Sequence, residues 1–323
     1  MKKTAPRRAV LKAFAKINLS LQVGRRRADG YHDLRTVFQT VSLADQLEIE
    51  FTPGRPTRIH LSGVPSITDN IVERAARDVM RSAGIRGSLR MHLEKRIPMG
   101  GGLGGGSSDA AAVLLALPVL AGAGIPMDQL RQLAAALGSD VPFFLEGGTC
   151  LGEGRGELLT RVKDASARHA LLVIPEVAVS TAAAYRDLEL TGGNPSNRMK
   201  RFQSLARALA DSARPEQWKA FCENDFESVV FRRYPLLHSL HRKLRSLGAG
   251  PARMSGSGST LFGVFAAGSL RDQARQVLDS AGGVARVEPF HFVSRKRYRA
   301  ALWNALGSHM DGKKWPPLSR YAE

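Results

Sequence analysis

The chain has 323 residues, 43% of them hydrophobic, and a formal charge of +18. That length suits two domains or one split α/β unit, and the composition excludes a disordered chain. The positive charge is spread along the chain, with denser runs at 25–27 and 295–299, and no zinc-finger spacing or basic heptads accompany it. A nucleic-acid binder is therefore not expected, whereas highly anionic small substrates fit the charge.

The cysteines, Cys150 and Cys222, are far apart and lack metal-ligand spacing, so they read as free thiols of a reducing compartment. The basic N-terminus has no long apolar stretch, and the apolar run 110–120 is too short to cross a bilayer. The expectation is a cytoplasmic protein without a membrane partner.

Residues 9–23 alternate in their second half, with Ile17, Leu19, Leu21 and Val23 on one strand face. A polar turn over 25–31 contains Asp29-Gly30, a hairpin signal. Two short strand patterns follow within 34–51, and another strand near 57–62. Asp69 is a candidate cap for a helix from about Asn70, with Ile71, Ala75, Val79 and Met80 on one face. A strand over 88–94 precedes a glycine-rich run and then a helix with Ala110, Val113, Leu114 and Leu117 at helical spacing. Asp128 is a candidate cap for a third helix, which Gly138 ends.

The second half starts near Arg168 with a strand that Pro175 closes. Residues 189–201 read as a loop before a helix over 202–210. A helix over 235–247 faces the core with Leu236, Leu240, Leu244 and Leu247, and Gly248 and Gly250 stop it. A strand (259–265), a helix (269–281) and a last strand (284–293) follow. Helices alternate with antiparallel-looking strands in both halves, an α+β pattern. The basic remainder, 294–323, reads as a peripheral helix with a flexible end.

The chemistry concentrates in 98–109, PMGGGLGGGSSD: Pro98, Gly100, Gly101, Gly102, Leu103, Gly104, Gly105, Gly106, Ser107 and Ser108. So many glycines weaken a strand or helix interior, but they let backbone N–H groups turn around an anion. A helix starting just after the run adds free N–H groups and a favourable dipole. Ser107 and Ser108 can donate hydroxyls to phosphate oxygens or reach a magnesium ion. Gly100, Gly102 and Gly105 also satisfy a loose dinucleotide pattern, but the loop follows several strands and a helix rather than opening an early βαβ unit. No Gly-Lys-Ser/Thr follows, so a Walker loop is absent.

PMGGGLGGGSSDAA resembles the phosphate-binding motif of the GHMP kinase superfamily. AKINLSL at 15–21, DGYHDLRTVFQ at 29–39, LGSDVPFFLEGG at 137–148 and MSGSGSTLFGVF at 254–265 resemble, in order, the branch that phosphorylates CDP-methylerythritol in isoprenoid-precursor synthesis. The resemblance covers roughly residues 9–292. It implies an N-terminal ribosomal-S5 domain-2-like domain over 1–165 and a ferredoxin-like C-terminal domain over 166–293, with the basic tail at 294–323.

The resemblance also implies ATP and Mg2+, with Ser108 near the metal. Asp140 becomes the catalytic base, paired with Lys16; taken alone, Asp140 reads as a helix-end residue making a turn bond. Asn18 faces the substrate. Tyr31 stacks on the cytosine, His32 bonds it, and Tyr185 forms the opposite wall, with Thr181 lining the pocket. Asn70 and Lys95 fall on the nucleotide side. Ser255, Gly256, Ser257 and Gly258 form a second small-residue loop against the first, with Gly256 and Ser257 near the substrate diphosphate. A homoserine or mevalonate type of the same superfamily is the alternative, and a monomer or weak homodimer is expected.

Overall fold

The computed structural model describes residues 5–54, 56–65, 68–189, 195–211 and 215–321. β1 (Arg7–Arg26) and β2 (His32–Pro53) form a long antiparallel hairpin, followed by β3 (Arg58–Ser62), α1 (Ile71–Ser82) and β4 (Gly87–Glu94). Next come α2 (Gly105–Ala121), α3 (Met127–Leu137), α4 (Val141–Glu146), β5 (Thr149–Glu153) and β6 (Leu158–Arg161). The first sheet has the order β3-β4-β2-β5-β6, with β1 paired to β2; only β3 and β4 run parallel.

The rest comprises β7 (Ala170–Pro175), α5 (Thr181–Glu189), α6 (Pro195–Asp211), α7 (Pro215–Trp218), α8 (Glu227–Arg233) and α9 (Pro235–Ser246). β8 (Ala252–Met254), β9 (Leu261–Val264), α10 (Gly268–Asp279), β10 (Val284–Phe290) and α11 (Arg295–Leu306) complete the chain. The second sheet is antiparallel, β10-β7-β9-β8. The α+β expectation holds. Among the described residues, no helix is long and apolar enough to cross a membrane.

One strand organises both halves. β1 places Ala9, Leu11 and Ala13 under α1 and α2, then Ala15, Ile17 and Leu19 in a second core with β7, β9 and α6. Its end, Leu21 and Val23, enters the core of the second sheet. The alternation of this strand suggests one wet face. Instead Lys16, Asn18, Ser20 and Gln22 are buried as well; Gly104 and Asp140 lie against Lys16, Gly256 against Asn18 and Glu223 against Gln22. Polar groups there must find partners, and this buried polar row is where the site lies.

Several boundaries differ from the sequence reading. β2 is one strand rather than two; its pairing with β1 slips between Thr40 and Ala44, where three residues oppose Ala15 alone. Asn70, not Asp69, caps α1, accepting from the Val72 N–H at 2.9 Å. Asp128 sits inside the first turn of α3, behind Pro126. α6 starts at Pro195, seven residues before the expected helix, so the expected loop shrinks; residues 190–194 lie outside the described residues. In α9 the residues sealed inward are Leu237, Leu240 and Leu244, while Leu236 and Leu247 pack at the edge.

The expected flexible end is instead packed. Leu302 and Leu306 join the core under α2, Met310 pairs with Ser319, and Ser319 is buried.

Candidate active site

The glycine run is wedged between two layers. Leu103 turns its side chain into the core while its carbonyl accepts the Lys16 N–H at 3.0 Å. The helix α2 begins inside the run, with Gly104 at its cap in the left-handed region. Gly105, Gly106 and Ser107 therefore open the first turn with N–H groups that have no intrahelical acceptor, while the Ser108 N–H donates to Gly104 O at 2.9 Å. No acidic residue occupies that turn, so the helix dipole meets an anion unopposed. The Ser108 Oγ is buried with no hydrogen-bond partner, and so is the Thr260 Oγ1. Such hydroxyls are costly unless something binds them, and phosphate oxygens or a phosphate-bound magnesium ion fit that need. No cluster of three His, Cys, Asp or Glu suited to a metal occurs among the described residues.

The second loop braces the first. Ser255 Oγ donates to Gly102 O at 2.9 Å, and the Thr260 N–H points at Gly101 O at 3.4 Å. Gly102 has φ +77, and a Cβ there would lie 2.1 Å from Ser255 O, so no other residue fits. The expected contact between the two small-residue loops is thus present.

Below the loops, Lys16 Nζ is 3.3 Å from Asp140 Oδ2 and donates to Asn18 Oδ1 at 2.8 Å. Asp140 stands at the start of α4 but makes no capping bond, which leaves its carboxylate to the lysine. The Asp140 side chain keeps 34% of its surface exposed while that of Lys16 keeps 4%. A sealed lysine beneath a half-open carboxylate leaves the carboxylate as the partner that an acceptor can reach. The Asn18 Oδ1 also takes the Gly256 N–H at 3.0 Å, and its Nδ2 donates to Thr36 at 2.7 Å. Thr181 at the start of α5 and Ser257 share a hydrogen bond of 2.8 Å. Lys16, Asn18, Asp140, Thr181, Gly256 and Ser257 are therefore brought together as expected.

The aromatic group is only partly assembled. His32 and Tyr185 stack on each other, centroids 4.9 Å apart, and Tyr185 meets Phe226 edge-on at 4.8 Å. Burial, with the Asp140 charge adding, pushes the Tyr185 hydroxyl up to about 12, so it stays neutral. Tyr31 is not in this stack. It is 52% exposed, under the Arg155 guanidinium at 4.9 Å.

On the other side of the glycine loop, Lys95 is engaged rather than free. Its Nζ donates to Asp45 and, at 2.8 Å, to Asp109 Oδ2, directly beneath Gly105. Burial opposes its charge, but Asp109 and Asp45 outweigh burial and raise its pKa. Burial, with Asp45 adding and Lys95 opposing, pushes Asp109 up to about 7. Asn70 spends its carbonyl oxygen on capping α1; its neighbour Ile71 lies 3.5 Å from a Cβ placed on Gly106. Both residues adjoin the first turn of α2.

Sequence reasoning missed Asn224, whose Nδ2 donates to Met254 O at 2.7 Å and Gly256 O at 2.8 Å, holding the second loop in shape. It also missed Asp45, Asp109 and Phe226. Asn224 and Phe226 sit in an irregular segment that bridges to β1, and no periodic pattern marks such a segment.

Comparison with known proteins agrees with this geometry. The GHMP kinases N terminal domain matches residues 70–148, and the GHMP kinases C terminal domain matches 195–283. A 4-diphosphocytidyl-2-C-methyl-D-erythritol kinase of Solibacter usitatus is 49% identical over 321 residues, 98% of each chain. The chain belongs to this family of GHMP kinases. A relative of the same description in Geobacter sulfurreducens is 41% identical, covering 80% of this kinase and 90% of that chain. The crystal structure of a 4-(cytidine 5'-diphospho)-2C-methyl-D-erythritol kinase superposes with a TM-score of 0.72 at 37% identity, over 88% of this kinase and 98% of that chain. A homoserine kinase of Cytophaga hutchinsonii shares the fold, TM-score 0.70, at 17% identity. Residues 284–323 lie beyond both domain matches.

Proposed function

We propose that this kinase moves the γ-phosphoryl group of ATP to the 2-hydroxyl of 4-diphosphocytidyl-2-C-methyl-D-erythritol, giving ADP and the 2-phosphate. The observation that carries the reading is the Lys16–Asp140 pair, set 3.3 Å apart beside the glycine loop, where the Ser108 and Thr260 hydroxyls are buried. Asp140 accepts the hydrogen bond of the acceptor hydroxyl and takes its proton as the new O–P bond forms. Lys16 orients that carboxylate, and Asn18 holds Lys16 in place.

The first-turn amides of α2 and the Ser107 and Ser108 hydroxyls hold the phosphates, so negative charge on the transferring group meets fixed donors. Ser108 would hold a magnesium ion beside the phosphates, where the ion would supply neutralising positive charge. Asn70 and Lys95 border the nucleotide. His32 and Tyr185 form the wall for the cytosine, and Thr181, Gly256 and Ser257 line the path of the substrate diphosphate. No histidine or cysteine need carry a covalent phosphate, since transfer is direct and in line. The same reading divides the chain near residue 165, between the sheet that ends at β6 and the one that begins at β7.

The test is a phosphorylation assay with Mg-ATP and the cytidylyl substrate, with homoserine and mevalonate alongside. Transfer to the cytidylyl substrate alone, lost in Asp140→Ala, is expected. Transfer to homoserine or mevalonate instead would overturn the substrate.

A further inference from the structure

The helix that presents Asp140 is short, and its far end is held by the C-terminal segment. α4 has six residues, too few to hold a helical position by its own bonds. The last carbonyls of any helix lack intrahelical donors. Here Gly147 N–H serves Phe143 O at 2.9 Å, but the next two carbonyls are served from 295–321. The Tyr298 hydroxyl donates to Phe144 O, and Trp315 Nε1 donates to Leu145 O at 3.0 Å. On the next residue, Glu146, the buried carboxylate takes Arg299 of the same segment at 3.4 Å, besides Arg131 and Arg161.

The fit is tight. A Cβ on Gly147 would lie 2.4 Å from the Tyr298 ring, so the glycine leaves the space the ring fills. The segment also closes the far end of α2, where Ser319 Oγ donates to Val119 O at 2.6 Å. Arg7, lying over the Tyr321 ring at 3.7 Å, donates to Leu120 O. The two helices whose N-terminal ends build the site are thus both held at their C-terminal ends by residues beyond the part of the chain that the domain families match.

We propose that Tyr298 and Trp315 are positioning residues for phosphoryl transfer: by donating to the last carbonyls of α4 they fix where this helix sets Asp140 against Lys16. The inference rests on the assignment of Asp140 as the group that meets the acceptor. At a rise of roughly 1.5 Å per residue, the cap acts on the carboxylate over only about 8 Å of helix. The helix is too short to absorb a shift at its end, and a misplacement of about 1 Å at a reacting group can cost on the order of a hundredfold in rate.

The test is the double variant Tyr298→Phe, Trp315→Phe, which keeps an aromatic ring at each position and removes the two donors. Full-length protein is compared at 25 °C with wild type, with Asp140→Asn, and with Leu278→Ala, a cavity in the second domain that costs stability away from the site. For the double variant kcat falls about tenfold or more, while KM for ATP and for the cytidylyl substrate stays within about twofold. Leu278→Ala lowers the melting temperature and leaves kcat unchanged.

A double variant that melts earlier but keeps its kcat overturns the proposal. If it does not fold, Trp315→Phe alone carries the same expectation at about threefold, and an unchanged kcat there overturns it. Should Asp140→Asn keep its kcat, the assignment of Asp140 fails first and the proposal with it. An inactive Asp140→Asn beside a fully active double variant would reject the strap and keep the site.

Discussion

Two lysines flank the glycine loop, one buried and one partly buried, and they are arranged in opposite ways. Lys16 is sealed, and its carboxylate partner Asp140 is the open side of the pair. Lys95 lies at the edge of its cluster, and its carboxylates Asp45 and Asp109 are the sealed side. Asp45 is also satisfied, its Oδ1 accepting the Arg96 and Ile97 N–H groups at 2.5 and 2.8 Å. The Asp140 carboxylate has neither a cap to serve nor a second cation, so it is free to meet a hydroxyl. Both pairs look alike in the sequence, a basic residue with a distant acid. What separates chemistry from support is which member faces the cleft.

That contrast makes Asp140 and Lys95 fail differently. Asp140→Asn keeps the shape of the side chain and removes its charge. The expected result is a fall in kcat of about 10² to 10⁴, with a smaller loss of urea midpoint than Lys95→Met shows, because the asparagine oxygen can still accept from the sealed Lys16. Lys95→Met leaves two buried carboxylates without their cation. It should cost about 3–5 kcal/mol of stability, read by urea unfolding, before any effect on rate. If Lys95→Met were fully stable and only catalytically dead, the supporting role assigned to that cluster would be wrong.

The Lys95 cluster also carries a pH signature. The folded pKa of Asp109 lies near 7, above an unfolded value of about 3.9. The folded state therefore binds the proton more tightly. The stability this gives is complete below about pH 4 and is lost as pH rises through 7. Relative to Asp109→Asn, wild type should gain stability between pH 7.5 and pH 5. An equal gain in both proteins would place the titration elsewhere.

The same comparison shows what a sequence can disclose. The glycine run, its strand and its helix could be read because their local chemistry is extreme. The burial of Lys16 could not, since alternation in 15–23 implies a wet polar face, and it is the glycine loop and Asp140, distant in sequence, that close over the lysine. The continuity of β2 was hidden at 41–43, where a bulge breaks the alternation. β5 and β6 escaped notice because Gly147, Gly148, Gly152, Gly154 and Gly156 dilute their strand character, and β8 has only three residues. Asp69 and Asn70 are both good capping residues, so composition could not choose between them. Asn224 acts through two carbonyls brought close by the fold, which no spacing encodes.

The aromatic side offers the smaller effects. Tyr185 stacks with His32 and leans on Phe226, whereas Tyr31, its expected companion, lies out under Arg155. Tyr185→Ala removes a stacking face worth about 1–3 kcal/mol, so KM for the cytidylyl substrate should rise roughly 10- to 100-fold while KM for ATP holds. Tyr31→Ala divides two possibilities that the free protein leaves standing side by side. A ring that stays on the surface contributes little, and KM then changes by less than about twofold. A ring that leaves Arg155 to cover the cytosine when substrate arrives gives a rise approaching that of Tyr185→Ala. The resemblance implies stacking, so we expect the larger change, and a Tyr31→Ala enzyme with wild-type KM would leave His32 and Tyr185 as the whole of the cytosine wall.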